Sequence, residues 1–92
     1  MKKKRHIPVI SFNELELKQK KPQVYKSLVE GITEAFETNS SEIKLCELKH
    51  ADTYLTVHKD VWLESLDSAM NFYIEKEEYE QCSKVKKLID KL

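Results

Sequence analysis

The chain has 92 residues, of which 40% are hydrophobic and 35% charged, with a formal net charge of zero. That length fits one small domain with a modest core. A single Gly excludes Gly-rich nucleotide loops in their usual form, and the absence of an apolar run near the ~20 residues of a membrane span excludes a transmembrane helix. The start is basic but carries no apolar stretch of signal-peptide length, and the two cysteines, Cys46 and Cys82, make no disulfide framework. The expectation is a reduced, cytoplasmic, soluble protein.

The zero charge conceals an asymmetry. Residues 1–26 hold eight Lys or Arg against two Glu, a balance of +6, and the remainder holds eight Lys against fourteen Asp or Glu, a balance of −6. A basic N-terminal segment is joined to an acidic body. Such a segment suits nucleic acid, an acidic partner, or the body itself.

Residues 1–21 read as an extended basic arm. Lys2, Lys3, Lys4 and Arg5 form a solvated run, followed by the β-prone patch Ile7, Val9, Ile10 and Phe12, which Pro8 interrupts. Pro disfavours a central strand and is tolerated at an edge or a strand start. High charge and the lack of a helical period predict an arm that is disordered alone and docks its apolar patch on a partner.

Residues 22–92 read as the globular part. Pro22 suits the first turn of a helix. Tyr25, Leu28, Val29, Ile32, Ala35 and Phe36 then share one face of a 3.6-residue period, which predicts an amphipathic helix over 22–37. Gly31 within it implies close approach of a neighbour. Ile43 and Leu45 alternate with polar residues until the parity switches at Cys46, and Tyr54 to Val57 form a β-branched and aromatic cluster. The pattern predicts a β-hairpin with strands 42–48 and 54–58 and a bulge or twist near Cys46, the alternative being a short helix from Ser41.

Asp60 reads as a helix N-cap. Trp62, Leu63, Leu66, Ala69, Met70, Tyr73 and Ile74 form a wide apolar stripe, and Tyr79, Cys82, Val85, Leu88, Ile89 and Leu92 form a second. No Gly or Pro separates the stripes, so one continuous helix over 60–92 is an alternative, but the charged residues 75–78 between them are where the chain can reverse without exposing an apolar side chain. The expected fold class is therefore α+β: a small helix–β-hairpin–helix–helix module preceded by the arm.

Met70, Tyr79-Glu80, Cys82, Val85, Lys86, Ile89 and Leu92 resemble the UVR motif, the helical hairpin of the UvrB and UvrC nucleotide-excision-repair proteins and of some Clp-protease adaptors. Cys82 stands at a small-residue position and Lys86 at an Arg position, while Lys87 replaces an acidic residue and Tyr73 a small one. The resemblance covers residues 66–92. It implies a helical hairpin used as a protein–protein contact surface, often self-complementary, with no catalytic role.

The chemistry-bearing residues do not assemble into a catalytic pattern. Cys46, His50 and His58 with Cys82 or a carboxylate could supply zinc ligands, but no Cys-x-x-Cys pair is present. Buried thiols and surface imidazoles account for them more simply. A Cys–His nucleophile pair lacks an orienting third residue. Glu77, Glu78 and Glu80 occupy neighbouring helix positions that do not converge on one point.

The expected function is thus non-enzymatic: an adaptor or accessory subunit that docks on a larger protein, or on a second copy of itself, with no metal, cofactor, membrane or small-molecule substrate. Ile7, Val9, Ile10 and Phe12 on the arm, and Trp62, Tyr79, Val85, Ile89 and Leu92 on the last two helices, are the candidate contact residues. The alternative is a nucleic-acid accessory factor of transcription or repair machinery, with Lys2, Lys3, Lys4 and Arg5 on phosphate. Such contacts give affinity without sequence readout.

Overall fold

The structure, a computed structural model, describes residues 7–11, 13–49 and 51–92. Its elements in chain order are β1 (Val9–Ile10), α1 (Glu14–Gln19), α2 (Lys21–Thr38), β2 (Glu42–Leu48), β3 (Thr53–His58), α3 (Trp62–Glu75) and α4 (Tyr79–Asp90), with a 3-10 turn at Lys59–Val61 before α3. The expected α+β order, helix, hairpin and two further helices, is present.

The strands form one mixed sheet in the order β1-β2-β3. β2 and β3 pair antiparallel through a tight turn in which Asp52 takes a left-handed backbone conformation (φ 49°). The register steps from Lys44↔Thr56 to Cys46↔Leu55, so Leu45 is an extra residue on β2, the bulge signalled by the parity switch. β1 pairs parallel with the far edge of β2, Val9 opposite Glu47 and Ile10 opposite Leu48.

That pairing corrects the reading of residues 1–21 as an independent arm. In its described part, the segment is a strand and a short helix attached to the body. Pro8 and Ile10 carbonyls accept from Glu47 and Lys49 N–H at 2.8 and 3.0 Å, and Ile10 is buried. Asn13 caps α1, its side-chain oxygen accepting from Leu15 N–H at 2.9 Å. Lys20 closes α1, bonds the carbonyl of Val9 at 2.8 Å through its ammonium group, and pairs with Glu16 at 3.0 Å. Of the patch expected to need a foreign surface, Ile10 finds one on its own chain.

α2 lies across one face of the sheet. Its Ser27 donates to the Leu45 carbonyl at 2.7 Å, and Gly31, one turn on, is buried in the same row. Leu28, Ile32 and Ala35 continue the contact into a core completed by Ile43, Trp62, Leu66, Tyr73, Val85 and Leu88. Trp62 sits at its centre with 0% exposure, edge-on to Phe36 with ring centres 5.7 Å apart, and donates Nε1–H to the Val57 carbonyl at 3.0 Å. Tyr25 and Phe72 join α2 to α3 at 4.9 Å between ring centres. The opposite face of the sheet is open, with Lys44 set 4.7 Å above the Tyr54 ring.

Asp60 is not the cap expected of it. It lies within the 3-10 turn, and its own N–H is bonded at 3.3 Å by Nδ1 of His58, which stands at the start of that turn. α3 begins after Val61 with no side-chain cap. Among the described residues, no helix is long and apolar enough to cross a membrane.

Candidate functional site: the outer face of the C-terminal hairpin

α3 ends in a Schellman arrangement. Glu78 N–H reaches the Tyr73 carbonyl at 2.9 Å and Glu77 N–H the Ile74 carbonyl at 3.0 Å, with Glu77 in the left-handed region at φ 57°. This turn folds α4 back along α3. The charged run 75–78 is the reversal point, as expected.

Each helix of the pair spends one stripe on the core. On α3 the stripe is Trp62, Leu66, Ala69 and Tyr73, and on α4 it is Val85 and Leu88. The wide apolar pattern of α3 overruns that stripe. Leu63, Met70 and Ile74 fall at i, i+7 and i+11, a second row on the same helix. Leu63 is 48% exposed and Ile74 50%, while Met70 is half-buried. On α4, Tyr79, Cys82 and Ile89 form the corresponding row at i, i+3 and i+10. Tyr79 is 64% exposed, and Cys82 and Ile89 are half-buried. Leu92 is exposed beyond the end of α4. The two rows form the outer seam of the hairpin, an apolar one interrupted by the exposed Asp67 on α3 and Lys86 on α4.

Several candidate contact residues therefore change role. Trp62 and Val85 have 0% exposure and belong to the core, because the faces that carry them meet α2 and the sheet. Ile10 is likewise consumed by β2. Tyr79 and Leu92 are exposed, Ile89 is half-buried, Val9 is exposed on β1 and Ile7 half-buried before it. Leu63 and Ile74, which were read only as members of the stripe, are the more accessible residues of α3. Their signal was the i, i+11 spacing, which placed them on one flank. Phe12, His50 and the run Lys2, Lys3, Lys4 and Arg5 lie outside the described residues.

Cys46 is buried on β2, and burial pushes its thiol pKa up, away from the reactive thiolate. Tyr73 is pushed up by burial first and then by the nearby carboxylates of Glu78 and Glu30. Among the described residues, no group of three His, Cys, Asp or Glu side chains could hold a metal ion. An open groove of about 1330 Å³ lies between α2 and α4. Glu30, Glu34 and Glu37 line one wall and Lys84, Lys87 and Lys91 the other, and no His or Cys is among its described lining residues. It brings opposite charges together.

No family model, no curated protein and no solved structure matches the chain.

Proposed function

We propose that the protein is a non-enzymatic interaction module that docks on a larger protein through the outer seam of the α3–α4 hairpin. The observation that carries this reading is the exposure of Leu63, Ile74 and Tyr79 on two packed helices. Single exposed apolar residues are ordinary on a protein surface, whereas several on one helical hairpin suit a partner. An apolar helix or groove from the partner is the complementary shape. The resemblance of residues 66–92 to the UVR hairpin supports the same use of these helices.

The reading is tested by affinity capture from the native cell with the wild-type chain beside Ile74→Glu and Tyr79→Ala. All three variants of the experiment require matched melting temperatures. The expected result is a protein retained by the wild type and lost by both substitutions. A partner retained equally by all three chains rules the seam out as its docking surface. A partner released by moderate salt alone favours phosphate or acidic contacts of the basic segment.

A further inference from the structure

The chain enters the sheet from a definite direction. β1 runs parallel to β2, with Val9 opposite Glu47 and Ile10 opposite Leu48. Ser27 of α2 bonds the Leu45 carbonyl, and residues 39–41 join the end of α2 at Thr38 to the start of β2 at Glu42. α2 and β2 are therefore antiparallel neighbours. Stepping back along β2 from Glu47 toward Glu42 is stepping forward along α2 from Ser27 toward Thr38. Because β1 shares the direction of β2, its course from Ile10 back to Val9 aims at the C-terminal half of α2. Pro8 marks the entry, since it lines the same groove as Ser27, Glu30, Glu34 and Glu37.

The surface lying ahead of that course is negative. From Ser27 to Thr38, α2 carries three glutamates, all exposed, and no Lys or Arg. Glu30 and Glu34 follow Ser27 at i+3 and i+7, on the flank that Ser27 turns toward β2, and Glu37 continues the row. Phe36 marks the other flank, edge-on to Trp62 and 5.5 Å from the Lys91 ammonium group. The C-terminal end of a helix is the negative end of its dipole, where a cation is the favourable neighbour, yet α2 has no basic residue in its last turn. Lys84, Lys87 and Lys91 stand across the groove on α4, and among the described residues no ion pair joins Glu30 or Glu37 to them.

We propose that this flank of α2 is the docking surface of the chain's own basic run, Lys2, Lys3, Lys4 and Arg5. Arg5 stands two residues before Ile7 and Lys2 five. Five residues reach at most about 17 Å, and Glu30 to Glu37 span about 10 Å of helix, so the run is long enough to cover the row. Each exposed ion pair is weak by itself. The tether at Ile7 and Pro8 makes the encounter intramolecular, with an effective concentration on the order of millimolar, which a free basic peptide does not match. Direction, reach and charge thus select the same occupant. The consequence is a competition: the four cations face carboxylates in cis or the phosphates of a polyanion in trans. A polyanion gains the run only by displacing it from α2. This surface is separate from the seam of the hairpin.

Zero-length carbodiimide coupling joins an amine to a carboxylate only where the two touch. Applied to the full chain at low salt and read by peptide mass spectrometry of the monomer fraction, it is expected to link Lys2, Lys3 or Lys4 to Glu30, Glu34 or Glu37. Those links are expected to fade in about 0.5 M sodium chloride. Labelled single-stranded oligo(dT) is the probe for competition. Glu30→Gln, Glu34→Gln and Glu37→Gln combined are expected to raise its affinity about fivefold or more at low salt, with the chain still folded by circular dichroism. Glu64→Gln, Asp67→Gln and Glu75→Gln combined remove the same charge from exposed positions of α3 and are expected to raise it less than about twofold. Links from the run spread evenly over the acidic residues of the body overturn the proposal. Links found only in a cross-linked dimer place the run on a second copy and overturn docking in cis. An oligo(dT) affinity no higher in the α2 variant than in the α3 variant overturns the competition.

Discussion

The Ser27 hydroxyl donates to the Leu45 carbonyl at 2.7 Å, at the one residue where the β2–β3 register skips. A bulge disrupts the ladder locally, and here α2 supplies a donor in its place. Ser27 is 2% exposed, so the hydroxyl is paired where water does not compete. Ser27→Ala is expected to cost about 1–3 kcal/mol by leaving a buried acceptor short of a donor. Urea unfolding with an unchanged slope is the measurement. A loss below about 0.3 kcal/mol would show that the bulge carbonyl is satisfied without the hydroxyl.

Val85 and Ile74 are expected to respond in opposite ways to the same substitution. Val85→Glu places an unpaired carboxylate in the core and is expected to cost upward of about 4 kcal/mol, enough to unfold a small domain. Ile74→Glu adds a charge at a half-exposed position and is expected to stay within about 0.5 kcal/mol of the wild type. Thermal melts of the two variants decide between a core and a surface assignment. A folded Val85→Glu chain would contradict the burial described above.

Glu77 holds the left-handed position that ends α3, where glycine is the usual residue. A side chain with a Cβ costs about 1 kcal/mol in this conformation. Glu77→Gly is therefore expected to stabilise the hairpin by up to about 0.5 kcal/mol, the relief being partly offset by the freer unfolded chain. Differential scanning calorimetry should show a higher midpoint. A lowered midpoint would mean that the Glu77 side chain makes a contact that outweighs the strain.

The Ser11 hydroxyl donates to Glu16, and the Lys20 ammonium group lies 3.0 Å from it, so both hold its carboxyl below the usual carboxylate range. The folded pKa is the lower one. The stabilising contribution is therefore complete at neutral pH and fades as the pH falls through the folded value. Glu16→Gln is expected to lower the midpoint at neutral pH and to match the wild type near pH 2, where both side chains are neutral. A difference that persists in acid would point to packing of α1 as its cause.

Cys46 is buried with a raised thiol pKa, while Cys82 is half-buried on α4. A thiol reagent at neutral pH is expected to label Cys82 first and Cys46 only as fast as the chain opens. Mass spectrometry of tryptic peptides reads this directly. Equal labelling rates would indicate that β2 opens locally.

Much of the body was legible because its signals are local. The stripe on α2, the parity switch at Cys46 and the charged reversal at 75–78 each name an element from neighbouring residues alone. Ile10 was misread because a two-residue strand has no periodicity, and its partners Glu47 and Leu48 lie beyond two intervening helices. Trp62 and Val85 were placed on the correct faces but at the wrong depth. A 3.6-residue period identifies the apolar side of a helix and does not state how many elements will cover it. Asp60 failed as a cap because the 3-10 turn delays the start of α3, a choice made by Nδ1 of His58 bonding the Asp60 N–H. Leu63 and Ile74 were hidden by the width of the α3 stripe, where core and flank residues read alike.

The parallel pairing of β1 with β2 also sets an order in time. β2 and β3 meet across a short turn, and α3 and α4 across a shorter one, so both hairpins close locally and early. Ile10 has no strand to join until Leu48 exists. On a ribosome, Val9 and Ile10 emerge before β2 and wait through the synthesis of α1 and α2 before their place is made. During that interval the apolar residues around Ile10 are exposed beside a strongly basic run, a charge that discourages premature self-association of nascent chains. The strand at the beginning of the sequence is then among the last to be laid down in the fold.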